Sequence, residues 1–337
     1  MSYDAKKIWF FNPTTTTQQI QSTINTFYES WLKEHTRNDD LKLYHYTTIE
    51  GLKGILKKRS IWLTHISTLN DPTELKYGKK LILEIISDEM NKQSEDIINS
   101  FFKQLILHIN TFDDLFYEVY VACFCESDNL LSQWRAYANR GGGYNLGFKF
   151  TSDTKFYHYD DFENESYVIL RKILYNPSVQ KEYVKNYISL ITNSAKELIK
   201  NVKDNKERSY RINVQRAAAE YSNILCDLML SFKNPVFEEE KEWRCILARH
   251  YKHKINQLQF RENEKEITPY IETYFIEKNE NKYIFPLCSI KFGPILDVEK
   301  TKAFLKLFLE KEAKTENKNI IDSDTVVISG AGYPLRD

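Results

Sequence analysis

The side chains best able to do chemistry lie far apart in this chain. His45 stands between two tyrosines at the end of the apolar run Leu41–Tyr46, and the hydroxyls of Thr47 and Thr48 follow it. A histidine at the mouth of a strand, just before a helix begins, is placed to meet a ligand through a ring nitrogen that donates or accepts. A satisfied core histidine is the plainer alternative. Glu242 ends an acidic run that includes Glu238–Glu240, and Arg244 comes two residues later. On a strand these two share a face, and an exposed pair of that kind contributes about 0–1 kcal/mol. Trp134, Arg135, Tyr137 and Arg140 fall in one short stretch. They offer aromatic faces for stacking and guanidinium groups for an anion, against the plainer roles of core packing and solvated surface charge. Gly141–Gly143 let backbone N–H groups crowd an anion. The run lacks the G-x-G-x-x-G and G-x-x-x-x-G-K patterns and precedes a strand, which reads as a flexible hairpin loop. Cys123 and Cys125 share a strand face, but a lone C-x-C without paired histidines is a poor zinc signature. No metal is expected.

The hydrophobic pattern supplies the elements that must hold these groups. Leu41–Tyr46 and Ile61–Thr64 read as short strands around a helix over Ile49–Lys58. Inside that helix Ile49, Leu52, Ile55 and Leu56 recur at three- and four-residue spacing, one stripe against a core. Ile20, Ile24, Phe27 and Trp31 give an amphipathic helix within residues 14–35. Asp71, Pro72 and Glu74 form a capping-box turn, opening helices over Thr73–Met90 and Ser94–Asn110. Glu118–Cys125 is a buried strand by its β-branched and aromatic content. It empties into the capping cluster Glu126–Asn129 and a short helix, with Leu130, Trp134 and Tyr137 or Ala138 on one side. Further strands are expected at Tyr144–Phe150, Tyr167–Tyr175, Trp243–Arg249 and Thr325–Ser329. Thr268–Ile276 and Lys282–Ile290 form a hairpin around Asn279–Asn281, and Val298–Lys311 is helical. Val179–Phe232 reads as two long helices broken around Lys203–Glu207. With no internal repeat and no clear linker, the expectation is a helical extension over residues 1–40 and one α+β domain over 41–337, with a helical-hairpin insertion at 179–232.

Bulk properties narrow the function classes. The 337 residues carry 47 basic and 47 acidic side chains, so the whole-chain field gives no nonspecific attraction to nucleic acid or membrane. No apolar run approaches the roughly 20 residues that span a bilayer. The cluster Ile8–Phe11 is too brief for a signal-peptide core. Five cysteines, an odd and scattered set, argue against a disulfide framework and for a reducing cytoplasm.

Five ordered segments, LYHYTTIEGLKGIL, LNDPTE, CFCESDNLLSQWRAYANRGGGYNLGF, EEKEWRCIL and a tail ending YPLR, together resemble the bacterial family known as domain of unknown function 2971. A more distant likeness is to the ADP-ribosyltransferase-like superfamily, whose members split NAD at the nicotinamide–ribose bond in a cleft between two small sheets. Leu43–Lys57 is similar to its first motif through His45, Tyr46, Thr47 and Gly54-Ile55-Leu56. Val121–Tyr137 resembles its second, with Ser127 at the polar position and Trp134 or Tyr137 as the aromatic. Glu242 to Leu247 approaches the third, a glutamate opening a strand. Tyr46 stands where the superfamily has glycine, Arg244 interrupts the apolar run, and no glycine follows the helix.

The likeness implies an α+β fold with a split, mixed or antiparallel β-sheet core of ADP-ribosyltransferase-like type and helical insertions. It implies NAD as substrate, with a macromolecular acceptor or water. Cleavage builds positive charge on the ribose, and a carboxylate stronger against that transition state than against the ground state accelerates it. Glu242 would take that role from the 2′-hydroxyl. His45 and Thr47 would hold the adenosine ribose, and the Tyr46 backbone the nicotinamide amide. Trp134 or Tyr137 would stack on nicotinamide, and Arg135 or Arg140 would meet the pyrophosphate. Tyr44, Ser127 and Arg244 complete the implied binding set. Family character adds a toxin or defence role. A noncatalytic nucleotide-sensing or protein-interaction module is the alternative, and a nuclease or nucleic-acid-binding effector a further one.

Overall fold

The computed structural model describes residues 18–35, 40–69, 74–112, 117–157, 168–201, 207–250, 258–262, 267–279, 282–317 and 319–332. The expected turn at Asn70–Pro72, the break within 203–206, the cluster Ile8–Phe11 and the YPLR tail lie outside them.

Helix α1 (Gln18–His35) precedes the unit β1 (Leu41–Thr47), α2 (Ile49–Lys58) and β2 (Ile61–His65). Thr48 caps α2, its hydroxyl accepting from the Gly51 N–H at 3.3 Å. Leu52 and Leu56 are buried and Ile55 half-buried, while Ile49 is exposed. The chain leaves α2 through Arg59 in the left-handed region (φ 53°). Next come α3 (Glu74–Met90), α4 (Asp96–Thr111), β3 (Tyr117–Cys125), α5 (Leu131–Tyr137), β4 (Tyr144–Phe150), β5 (Thr154–Tyr157) and β6 (Ile169–Lys172). The long helices α6 (Pro177–Asn201) and α7 (Glu207–Ser231) lead to β7 (Glu242–His250), β8 (Leu258–Glu262) and β9 (Ile267–Asn279). The chain finishes with β10 (Lys282–Ile284), β11 (Leu287–Phe292), α8 (Val298–Ala313), β12 (Asn319–Ile320) and β13 (Val327–Gly330).

The class is α+β, with a mixed, curled sheet. Among the described residues only β10–β12 and β11–β13 form parallel ladders; the other ladders are antiparallel. The expected split appears as a fork in one continuous sheet rather than as two sheets. β7 occupies one edge of β3 along its whole length, from Tyr117↔His250 to Cys125↔Glu242. Both β1 and β2 must therefore share the other edge. β2 holds it only at Thr64↔Val121 and His65↔Tyr120, and β1 only at Tyr44↔Cys125. Between those points, at Ala122–Phe124, the wings diverge. One continues β1–β4–β11–β13 and the other β2–β9, with β8, β5 and β10 on β9.

Two cores flank the sheet. Val121 and Ile246 face the helical layer, where Trp31, Phe101, Tyr187, Tyr221 and Leu225 are buried. The α6–α7 pair thus builds the larger core with α1, α3 and α4. On the other face Leu52 and Leu56 of α2 and Leu305 of α8 pack with Leu43, Phe148 and Ile271. Each such side chain contributes roughly 1.5–3 kcal/mol by burial. The expected hairpin after β9 breaks at Phe285–Pro286: β10 stays with β9, whereas β11 crosses to β4. Proline has no N–H for a ladder; its carbonyl instead accepts from the Lys149 N–H at 2.9 Å.

Candidate functional site: the cleft at the sheet fork

A cleft of about 1120 Å³ opens at the fork. Its floor is the diverging edge of β3, Val121–Phe124; β1 and the first turns of α2 form one side, and β2, β7 and β8 reach it from the others. Of the residues singled out in the sequence, Tyr44, His45, Tyr46, Thr47, Tyr137 and Glu242 line it.

His45 sits where β1 has left β3. Its Nδ1 lies 2.9 Å from the Cys123 carbonyl, which only accepts, so Nδ1 carries the proton. Burial pushes the imidazole pKa below its ordinary value; the Cys123 hydrogen bond opposes this, and the positive charge of Arg261 adds to it. The ring is therefore neutral near pH 7, and its Nε2 has no hydrogen-bond partner among the described residues. That nitrogen is an acceptor facing a cavity, suited to a ligand hydroxyl.

Glu242 opens β7 on the same face as Arg244, as period two requires, but it is only 4% exposed. The surface-pair alternative thus fails on burial and holds on pairing. Arg244 grips the carboxylate through two bonds, Nε to Oε1 at 2.7 Å and Nη2 to Oε2 at 3.0 Å. Lys233 adds Nζ to Oε2 at 2.9 Å and also bonds Glu240 at 2.6 Å. Burial pushes the Glu242 pKa up, yet Arg244 and Lys233 outweigh it and hold the group at about 2. Glu242 is a permanent anion, unsuited to take a proton near neutrality.

The remaining expected residues require corrections. Trp134 is fully buried: its ring meets Tyr46 edge-on at 5.0 Å and its Nε1–H donates to Asn129 at 2.9 Å. It belongs to a small core with Tyr46, Cys125, Ala138 and Ala331, and of the two aromatics proposed for stacking only Tyr137 reaches the cleft. Burial and the nearby Glu240 raise the Tyr137 phenol pKa, keeping it neutral. Ser127 lies outside the cleft lining; its carbonyl accepts from the Tyr46 hydroxyl at 3.0 Å. Arg135 and Arg140 are exposed and also outside the lining: α5 turns its apolar side to Tyr46 and Arg135 to solvent, and Arg140 lies in the short turn Asn139–Gly141 that follows it. Arg244 lies buried behind Glu242 rather than on the wall. The expected capping cluster does not cap: Leu130 is the N-cap of α5, without a side-chain bond, since Asn129 is spent on Trp134 and on the Ala331 carbonyl. Gly141–Gly143 form a packed corner instead of a loose loop. A Cβ on Gly143 would come within 2.4 Å of the Thr47 carbonyl, and the Gly293 N–H donates to the Gly143 carbonyl at 2.9 Å.

Among the lining residues that escaped the sequence reading are Trp62, Lys233 and Arg261. Trp62 had a signal, an aromatic alternating with the core positions Ile61 and Leu63 on β2. Arg261 had none, because β8 is almost wholly exposed and shows no alternation. Among the described residues no group of three or more His, Cys, Asp or Glu is arranged to hold a metal ion. Nor is any helix among them long and apolar enough to cross a membrane.

Residues 133–245, from α5 into β7, match the family model described as protein of unknown function (DUF2971), which supports that family. The matched span includes Tyr137 and Glu242 but not His45. No curated protein and no solved structure matches the chain.

Proposed function

We propose that the cleft binds NAD and that the protein is of ADP-ribosyltransferase-like type, cleaving the nicotinamide–ribose bond and passing ADP-ribose to an acceptor or to water. The supporting observation is that His45 and Glu242, remote in sequence, line one cleft where the sheet divides. In this reading a ribose hydroxyl donates to Nε2 of His45, and Tyr137 offers its face to the nicotinamide ring. As the glycosidic bond breaks, the electron pair leaves with nicotinamide and the ribose becomes cationic. Glu242, held anionic, stabilises that cation and accepts from the 2′-hydroxyl in place of the weak thiol donor Cys123, which bonds the carboxylate beside Arg244 and Lys233. Its role is electrostatic, not that of a general base.

The test is release of nicotinamide from NAD by the purified chain, with Glu242→Gln as control. Turnover that falls by about 10² or more in the variant, the scale of a lost transition-state contact, supports the reading. A specific observation favours the second reading, a nucleotide-binding module without turnover: two cations already partly neutralise Glu242. Saturable NAD binding with no nicotinamide release would establish that reading in place of the first.

A further inference from the structure

One cation of the cleft, Arg261, has no carboxylate partner among the described residues. On the wing β8–β9–β2, Leu258, Ile271 and Leu63 stand in register and point into the second core. By alternation Trp62, Thr64, Tyr270, Gln259 and Arg261 occupy the opposite face. There Trp62 stacks on Tyr270 (ring centroids 4.2 Å apart, 28° between planes), and the Arg261 guanidinium lies 5.8 Å from the Trp62 ring centre. Among the described residues the one hydrogen bond of Arg261 is Nη2 to the Thr64 hydroxyl at 3.2 Å, and it has no carboxylate partner there. A guanidinium carries five N–H donors, so four remain for a ligand. Two other lysines that line the cleft, Lys76 and Lys80, sit exposed on α3, and Lys233 is consumed by Glu240 and Glu242. Arg261 is also close enough to His45 for its charge to disfavour imidazole protonation. The acceptor nitrogen and the free guanidinium therefore address neighbouring parts of one ligand.

We propose that Arg261, seated on Trp62 and tied to Thr64, is the phosphate-binding residue of the cleft and grips the diphosphate of a nucleotide whose ribose meets His45. The planar fork matches two phosphate oxygens at once. The aromatic seat fixes its direction beforehand, which lowers the ordering cost of binding. The inference rests on the nucleotide reading of the cleft but not on any bond being broken there.

Calorimetric titration of the full chain with ADP, inorganic pyrophosphate and adenosine tests it. Arg261→Ala is expected to weaken ADP and pyrophosphate by about tenfold or more, the scale of a charge-assisted contact, and to leave adenosine nearly unchanged. Arg261→Lys should recover part of the loss. If the alanine variant melts early, Arg261→Gln, able to keep the Thr64 hydrogen bond without the charge, carries the same expectation. Wild-type protein that binds neither ADP nor pyrophosphate, or variants that bind both as tightly as wild type, would overturn the proposal. ADP binding that depends on Arg261 without nicotinamide release would leave it standing while the enzyme reading falls. Nicotinamide release whose KM for NAD ignores Arg261→Ala would do the reverse.

Discussion

The two walls of the cleft treat charge in opposite ways. At the Glu242 wall, two carboxylates and two cations close on one another: Arg244 and Lys233 on Glu242, and Lys233 on Glu240. At the His45 wall the groups are left open, with Nε2 of the imidazole and most of the Arg261 guanidinium free of partners among the described residues. The first wall resembles the interior, where a charge persists only when paired. The second resembles a binding surface, where an unpaired donor or acceptor gains its partner on ligation. The contrast teaches that burial alone does not mark a functional residue. Glu242 is the more buried and more perturbed group, yet the His45 wall has the greater unused capacity to recognise a ligand.

The largest effect is expected at the closed wall. Glu242→Ala leaves two buried cations without their shared carboxylate, and breaking such a pair costs about 3–5 kcal/mol. Urea denaturation should show this as a lower midpoint at unchanged slope. An unshifted midpoint would mean that Arg244 and Lys233 find other partners and that the wall is not closed by Glu242. The pH dependence follows from the same pairing. The folded pKa of about 2 lies below the ordinary value of 4.5. The contribution of Glu242 is thus complete above about pH 4.5 and is lost as pH falls toward 2. Glu242→Gln should flatten that part of the stability profile.

How much of this was legible in the sequence differs between the walls for a physical reason. The β1–α2–β2 unit could be read because each signal is local: period two, then Thr48 as cap, then helical spacing, then period two again. The shared face of Glu242 and Arg244 was equally local. Their burial was not, since it depends on Lys233 and on the Leu230 carbonyl at the end of α7, to which Arg244 Nη1 also donates at 3.3 Å. Trp134 shows the same limit. Helical spacing placed it on the apolar side of α5, but Tyr46 across the gap decides that this side is core and not cleft. Arg261 was out of reach altogether, because a cation on an exposed strand has the pattern of ordinary surface. Pro286, by contrast, was a legible break that the expected hairpin passed over.

A smaller effect is expected at the open wall, and it has the form of a slope. The folded pKa of His45 lies below its ordinary 6.5. As pH falls below about 6.5 the unfolded chain takes up the proton first, so stability declines until the folded imidazole titrates. The slope contributed cannot exceed about 1.4 kcal/mol per pH unit. His108, also lowered by burial, adds its own slope, so the measurement is the difference between wild type and His45→Gln across pH 7 to 5. Equal slopes in the two proteins would show that His45 titrates in the fold as it does in the unfolded chain. The same protonation turns Nε2 from acceptor to donor, and nucleotide affinity should fall with it.

The smallest effects are expected where the sequence had placed the phosphate contact. Arg135 and Arg140 are solvated and outside the cleft, so Arg135→Ala and Arg140→Ala should shift stability by no more than about 0.5 kcal/mol. Arg140 adopts a left-handed backbone (φ 50°), where glycine is the residue at ease. Arg140→Gly should therefore equal or slightly exceed wild type in thermal midpoint. Neither alanine variant should alter ADP affinity, whereas Arg261→Ala should. An ADP titration across the three arginines thus sharpens the comparison of the walls to a single distinction. In this reading the guanidinium that meets phosphate is the one held on an aromatic face inside the fork, without a carboxylate partner among the described residues, and not one that the family likeness places at or after α5. Loss of ADP affinity in Arg135→Ala or Arg140→Ala, with Arg261→Ala unchanged, would move the phosphate contact back to α5 or the turn after it and leave the open wall without its function.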